Sequence, residues 1–198
     1  MQEIEIHGQV EPGRPLLVVA LHEEGVHLRR HGLPLLVCGP GKVNAALGVS
    51  RLLAGATPSE VINLGTAGSL RDGLRGTHLV GRVTQHDFDE QAILALTGRD
   101  FGGPLALGDG PTLTTGDSFV ADSAVRKQLA GHADLVDMEG YAIASAAAAA
   151  GVPVRLVKHV SDDGYEQAAT MWIDSLEACA DRLSDWRAAD RAASGFCS

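Results

Sequence analysis

The chain has 198 residues, of which 45% are hydrophobic and 21% charged, and its formal net charge is −9. This length and composition suit one globular domain and exclude a wholly disordered chain. The Lys and Arg residues are scattered, which argues against a nucleic-acid-binding surface, because phosphate contacts need clustered positive charge. We therefore expect a small neutral or cationic ligand.

No segment of the sequence is typical of export or of a membrane. The first five residues include two acidic side chains where a signal peptide would be basic, and residues 140–157 are too Ala-rich and too interrupted to span a bilayer. The three cysteines, Cys38, Cys179 and Cys197, lack metal-ligand or redox spacing. We expect free thiols and a cytoplasmic protein with no membrane partner.

The first half of the chain alternates short apolar runs with helical stretches. Strands are predicted over residues 15–21, 33–38 and 60–64, and helices over 22–30 and 43–53. Residues 1–14 alternate weakly and predict an edge strand or an arm. Residues 39–42 lack the glycine spacing and the Ser or Thr of a P-loop, so the pattern indicates a tight turn.

The second half begins with a loop of small residues at 65–68. Further strands are predicted over residues 77–84 and 111–115, helices over 121–130 and 168–191, an irregular loop over 85–110 and a frayed tail over 192–198. His86, Asp87 and Asp89 resemble a metal cluster, but no partner His or Cys stands at suitable spacing. We therefore predict no metal site.

Residues 135–164 form the central unit of the chain. An apolar strand ends before Met138, the Ala-rich stretch 142–150 predicts a helix, and a β-branched strand spans 152–160. A strand-helix-strand unit places the ends of both strands at one sheet edge, so Glu139 and Asp162 are expected to face one pocket. The whole pattern predicts a single three-layer α/β/α domain over residues 1–198 with a mostly parallel or mixed sheet.

Six motifs, in order along the chain, resemble the nucleoside phosphorylase superfamily, in particular its methylthioadenosine/S-adenosylhomocysteine nucleosidases. Two lie in the central unit, where Val136-Asp137-Met138-Glu139 and Val160-Ser161-Asp162 resemble the family's methionine-glutamate and serine-aspartate motifs. The other matching stretches are residues 20–24, 39–46, 63–68 and 115–120. The resemblance extends from about residue 15 to 175 and implies a nucleoside phosphorylase-like fold.

The resemblance implies three catalytic carboxylates. Glu24 would activate the attacking water, Glu139 would accept hydrogen bonds from the ribose hydroxyls, and Asp162 would protonate N7 of the departing purine. Asp162 is preferred to Asp163 because it follows Ser161 directly, although either side chain also suits a helix cap. The implied substrate-binding residues are Leu21, Thr66, Ala67, Gly68, Phe119, Val120, Asp137, Met138, Ser161 and Trp172.

The implied reaction is hydrolysis of an adenosine-type nucleoside, with no cofactor and no metal. A phosphorylase would hold phosphate with Arg, whereas Glu23 and Glu24 would repel that anion. Two alternatives stay open: a phosphate-dependent purine nucleoside phosphorylase and a nucleoside-binding protein without activity. The resemblance also implies a homodimer, with apolar positions near Phe88 and Ile93 at the interface. Lys158 departs from the family pattern, where an Arg is usual.

Overall fold

The computed structural model describes residues 4–193. Over these residues the chain forms one mixed sheet of ten strands with α-helices on both faces. The strands are β1 (Glu5–His7), β2 (Leu16–Val19), β3 (Leu35–Val37), β4 (Val61–Ser69), β5 (Thr77–Leu79), β6 (Arg82–Gln85), β7 (Leu105–Ala106), β8 (Thr112–Thr115), β9 (Leu135–Asp137) and β10 (Val154–Asp162). The helices are α1 (His22–Gly25), α2 (Lys42–Leu53), α3 (Glu90–Thr97), α4 (Ser123–Leu129), α5 (Gly140–Ala149) and α6 (Ala168–Ala193), with a 3₁₀ turn at Leu28–His31.

The strands follow the order β1-β3-β2-β4-β9-β8-β6-β7, and β10 and β5 continue the sheet from the other side of β4. Strands β3, β2, β4 and β10 are parallel, as are β9, β8 and β6. Strand β9 meets the end of β4 in an antiparallel pairing, and β1, β5 and β7 are antiparallel to their neighbours. The expected α/β class with a mixed sheet is confirmed.

Helices cover both faces of the sheet. Successive strand residues point to opposite faces, so Leu16 and Val18 pack with the α2 and α5 side chains, whereas Leu17 and Val19 pack with Leu183 of α6. All four residues of β2 are therefore buried. This double coverage explains why the strand sequences are continuous apolar runs rather than alternating patterns.

Several boundaries differ from the sequence prediction. The predicted strand 77–84 is two strands, β5 and β6, separated at Val80 and Gly81, and the predicted loop 85–110 contains α3 and β7. Residues 5–7 of the predicted arm pair with β3 as an edge strand. Residues 192 and 193 of the predicted frayed tail belong to α6, and the remaining tail residues, like residues 1–3, lie outside the described range.

The prediction of a loop at residues 65–68 was wrong. These residues continue β4, where they pair with β10 along one side and, at Gly68, with β9 along the other. Small residues are needed because charged side chains pack over the strand: a Cβ on Gly65 would lie 3.2 Å from the Lys158 Nζ, and one on Gly68 would lie 2.9 Å from an Asp162 oxygen.

The two strands of the central unit are not neighbours. Strand β4 lies between β9 and β10, and it pairs antiparallel with the first and parallel with the second. The strands β9 and β10 do not pair with each other. Instead, the end of β4 pairs with both strands and so brings residues 137–139 close to Asp162. Within the described range, no helix has the length and hydropathy that crossing a bilayer requires.

Candidate active site

A single cavity lies where the ends of β2, β4, β9 and β10 converge. Its lining includes all thirteen residues for which the sequence predicts a catalytic or substrate-binding role. Four further residues line it: Ala20, Pro40, Ser118 and Val136. The cavity thus gathers segments that are up to about 150 residues apart in sequence, in agreement with the rule that α/β sheets bind ligands beyond their strand ends.

Glu24 is held by four hydrogen bonds. Helix α1 begins shortly after β2, and it directs the Glu24 carboxylate back to the end of that strand. Glu24 is buried there, with 3% of the residue exposed. One oxygen accepts from the backbone N–H groups of Ala20 and Leu21 at 3.0 and 3.2 Å, and the other accepts from the N–H and hydroxyl of Thr66 at 2.9 and 3.1 Å. These donors fix the orientation of the carboxylate in the cavity.

Glu139 lies at the N-cap of α5, two residues after the end of β9. The residue is buried, and one carboxylate oxygen accepts the backbone N–H of Gly41 at 2.8 Å. Burial, followed by the repulsion from Asp137, raises the pKa of Glu139 to about 8, against the opposing effects of Lys158 and the Gly41 hydrogen bond. This pKa favours a protonated Glu139 at neutral pH.

Lys158 and Asp137 form a buried ion pair beside Glu139. The Lys158 Nζ lies 2.8 Å from Asp137 Oδ2, and 1% of each side chain is exposed. Burial lowers the pKa of Lys158, but Asp137 and Glu139 outweigh that effect, so the pKa is raised. The Asp137 oxygens also accept from the Thr115 hydroxyl and from the Gly140 N–H. The Asp137 carboxylate is thus held by three groups of the protein, and its role in substrate binding stays a prediction.

Asp162 ends β10 on the other side of the cavity. It is 5% exposed, and burial raises its pKa although the Ser161 hydroxyl and the Gly164 N–H donate to it at 2.8 and 3.0 Å. The neighbouring Asp163 points elsewhere, because its carboxylate accepts the N–H of Tyr165 and does not line the cavity. A raised pKa is what a proton donor near neutral pH requires.

Two aromatic side chains flank the opening. Phe119 is 44% exposed, and its ring centroid lies 6.0 Å from that of Trp172 at an interplanar angle of 56°. The Trp172 indole N–H donates to the Thr66 hydroxyl at 3.0 Å. The tryptophan at the start of α6 is therefore linked to Glu24 through a single hydroxyl group, and an exposed aromatic face is left for a planar ligand.

The chain resembles known proteins in sequence and in fold. A family model described as the phosphorylase superfamily matches residues 2–97 and 95–186. The chain belongs to the phosphorylase superfamily. A 5′-methylthioadenosine/S-adenosylhomocysteine nucleosidase from Exiguobacterium sp. is 31% identical over 169 residues, 72% of this chain and 72% of that protein.

Two solved structures of this superfamily fold illustrate the structural likeness. The 5′-methylthioadenosine/S-adenosylhomocysteine nucleosidase of Helicobacter pylori, with butyl-thio-DADMe-Immucillin-A, superposes with a TM-score of 0.78 at 19% identity, covering 90% of this chain and 97% of that one. The futalosine hydrolase of the same organism gives 0.74 at 20% identity, covering 87% and 94%. At these identities the comparison establishes the fold.

Sequence reasoning missed two contributors to this superfamily site. The sequence pattern at residues 39–42 predicts a tight turn, yet Pro40 lines the cavity and the Gly41 N–H donates to Glu139, with Gly41 at φ +92°. For Lys158 the sequence indicates only a departure from the family's Arg. No side-chain signal marks a backbone donor, but a lysine inside a strand that is expected to be buried signals a buried partner.

A cluster of potential metal ligands lies outside the cavity, on β1 and α1. Ligand atoms of Glu5, His7 and His22 lie within 4.8 Å of one another. However, a guanidinium nitrogen of Arg29 lies 3.1 Å from His7 Nε2. Because a positive charge already contacts this cluster, we assign no metal to it.

Proposed function

We propose that this protein hydrolyses the N-glycosidic bond of an adenosine-type nucleoside, such as 5′-methylthioadenosine or S-adenosylhomocysteine, and releases the free base and the ribose derivative. The observation that carries the proposal is the convergence of three buried carboxylates, Glu24, Glu139 and Asp162, on one cavity. The nucleosidases that share about a third of its sequence support the same reaction.

The reaction makes a positive charge on the ribose ring and a negative charge on the leaving base. Glu139 binds the ribose hydroxyls, and its ionised form stabilises the ribosyl cation. Asp162 transfers its proton to N7 of the purine as the bond to the sugar breaks. Glu24 orients the water that adds to the sugar carbon and accepts a proton from it.

The remaining lining residues position the substrate. Phe119 stacks on the purine, the Val120 backbone contacts its edge, and Met138 packs under the ribose. Leu21 and Trp172 lie at the 5′ substituent, whereas the backbone of Ala67 and Gly68 follows the base and the ribose. The reaction uses no cofactor and no metal.

Water is favoured over phosphate as the nucleophile because of the charge of the cavity. Among the described residues, no Lys or Arg lines it, and the nearest buried cation, Lys158, is paired with Asp137. A phosphate dianion beside Glu24 would meet repulsion with no guanidinium to offset it.

The decisive experiment is a panel of purine nucleosides assayed for free base, with and without phosphate. We expect free base and free sugar at a rate that does not depend on phosphate. Formation of a sugar 1-phosphate would assign the protein to the phosphorylases. Tight binding of adenosine analogues without turnover would leave a nucleoside-binding protein.

We further propose that the protein works in the cytoplasm as a homodimer. Cys38 and Cys179 are free thiols, as expected for a reducing compartment. Large apolar side chains are exposed on α2, where Val43 is 67% exposed, and around α3, where Leu96 and Phe101 are 82% and 63% exposed. Such surfaces support an interface with a second copy of the chain.

A further inference from the structure

An arginine outside the cavity holds the loop that follows Asp162. Arg126 lies on α4, and 8% of its side chain is exposed. Its Nε donates to the carbonyl oxygen of Asp163 at 2.7 Å, and a terminal nitrogen donates to Asp72 at 2.8 Å. Its guanidinium carbon lies 4.3 Å from the ring centroid of Tyr165. One buried cation thus bridges the segments that follow β4 and β10.

The bond to Asp163 bears directly on Asp162. The next residue, Gly164, adopts a φ of +70°, and its N–H donates to an Asp162 oxygen at 3.0 Å. The orientation of this N–H depends on the peptide group between Asp163 and Gly164, whose carbonyl oxygen Arg126 binds. Arg126 therefore fixes the same peptide group whose N–H orients the carboxylate of Asp162.

A second contact ties the same loop to the same helix. The carboxylate of Glu166 accepts the backbone N–H of Ser123 at 3.2 Å. Helix α4 begins three residues after Val120, and Val120 and Leu129 pack with Val136 in one apolar cluster. Helix α4 thus connects the segment at the base-binding end of the cavity with the loop of the proton donor.

We propose that Arg126 is a positioning residue for the proton transfer from Asp162 to the leaving base. This inference rests on the proposed function. Arg126 is not among the residues that line the cavity. It keeps the turn at residues 163–165 closed, so that the proton of Asp162 points to the base while the Asp163 side chain stays outside the cavity. A purely structural arginine would affect stability without selectively affecting this step.

The experiment compares Arg126→Gln and Arg126→Lys with a matched control, Arg155→Gln. Arg155 is also partly buried and ion-paired, with Glu60 and Asp190, but it lies at the start of β10, far from the cavity. Purine release by the wild-type protein is measured first, because its absence would refute the proposed function and not the role of Arg126. The variants are then compared in kcat, KM and thermal midpoint.

We expect Arg126→Gln to lower kcat tenfold or more with KM changed less than threefold, and Arg126→Lys to recover part of the loss. Arg155→Gln should lose thermal stability and keep kcat within about twofold. In an Asp162→Asn background, assayed by overnight base release, Arg126→Gln should cause less than a twofold further loss, because the group that it positions is gone.

If Arg126→Gln folds, three results would overturn the proposal. The first is a kcat for Arg126→Gln within twofold of wild type, and the second is an equal loss of kcat in Arg155→Gln. The third is a loss of kcat on Arg126→Gln that is as large in the Asp162→Asn background as in the wild-type protein. If Arg126→Gln fails to fold, Arg126→Lys carries the test, because it keeps the charge and most of the packing; a wild-type kcat in that variant would also contradict the inference.

Discussion

The residues around the cavity carry an unbalanced charge. Glu24, Asp137, Glu139 and Asp162 are all buried, whereas the buried cation beside them is Lys158, which pairs with Asp137. Burial and the repulsion from Asp137 therefore raise the pKa of Glu139 to about 8 and keep a proton on it at neutral pH. We expect a positively charged ribose in the transition state to favour the ionised form of Glu139. The Glu139 carboxylate would then stabilise the transition state more than the bound substrate.

The first prediction concerns the activity of Glu139→Gln. The amide keeps the hydrogen bond from Gly41 but removes the charge that stabilises the ribosyl cation. We expect a folded protein with kcat lowered about a hundredfold or more. Steady-state base release measures the effect, with Glu23→Gln, an exposed glutamate beside Glu24, as the control that should keep its rate. A near wild-type rate for Glu139→Gln would remove this residue from the mechanism.

The second prediction concerns how stability depends on pH. The pKa of Glu139 rises on folding from 4.5 to about 8, so the native protein retains a proton that the unfolded chain has released between these values. The contribution of Glu139 to stability therefore falls as the pH increases through this window. Glutamine does not titrate. The thermal midpoint of Glu139→Gln relative to wild type should be higher at pH 9 than at pH 5, and a constant difference would contradict the raised pKa.

The third prediction uses two adjacent aspartates as variant and control. Asp162 is buried in the cavity with a raised pKa, whereas the Asp163 side chain caps the Tyr165 N–H outside it. Asp162→Asn should therefore be far slower in base release than Asp163→Asn. The reverse order would transfer the role of the acid to Asp163.

Among the elements, β4 organises the site. Its first half pairs with β2 and β10, and its end pairs with β10 and β9, so it meets three of the strands whose ends carry catalytic candidates. Close approach of neighbouring side chains is possible because residues 65–68 are small. The β4 backbone therefore sets the distance between the two ends of the cavity.

The fourth prediction tests this spacing with Gly68→Ala. The added Cβ would lie 2.9 Å from Asp162 Oδ1 and 3.1 Å from Val136 Cγ1, so the carboxylate or the strand must shift. We expect a loss of about 1–3 kcal/mol in the free energy of unfolding and at least tenfold in kcat, since small displacements of a catalytic group are costly. The control is Gly55→Ala, where the nearest atom is 3.9 Å away. Equal effects of the two changes would refute the spacing argument.

Large apolar side chains remain exposed on the surface of the molecule after the helices have covered both faces of the sheet. Leu47 on α2 is 59% exposed, and Leu96 on α3 is 82% exposed. Neither side chain contributes to the core of the single chain. Their exposure is unfavourable in water unless another surface covers them.

The fifth prediction is that a second copy covers this surface. Light scattering at micromolar concentration should give twice the 20.6 kDa of the chain. Leu47→Asp and Leu96→Asp should yield the monomer, because a charge in an apolar interface costs several kcal/mol. Ile173→Asp, at a residue 62% exposed on α6, should leave the dimer intact. A monomeric wild-type protein would refute the prediction.

The fold class and most of the residues that line the cavity are predictable from the sequence alone. Buried strands are short apolar runs, and Glu139 and Asp162 stand where two such runs end, so both are visible as local departures from the apolar pattern. The predicted role of Glu24 rests on the family resemblance, because an acidic residue in a first helical turn also suits the helix dipole. The ordered motifs of the resembling family added the predicted substrate-binding residues, and all of them line the cavity.

How these groups are held depends on contacts that form only when the chain folds. Residues 65–68 have the composition of a loop but form a strand, because pairing with β10 and β9 outweighs the low strand propensity of glycine. The pairing of Lys158 with Asp137, the Gly41 bond to Glu139 and the contact of Arg126 with Asp163 join residues between 21 and 98 positions apart. Such contacts have no local signal, since they depend on distances that arise when the sheet assembles.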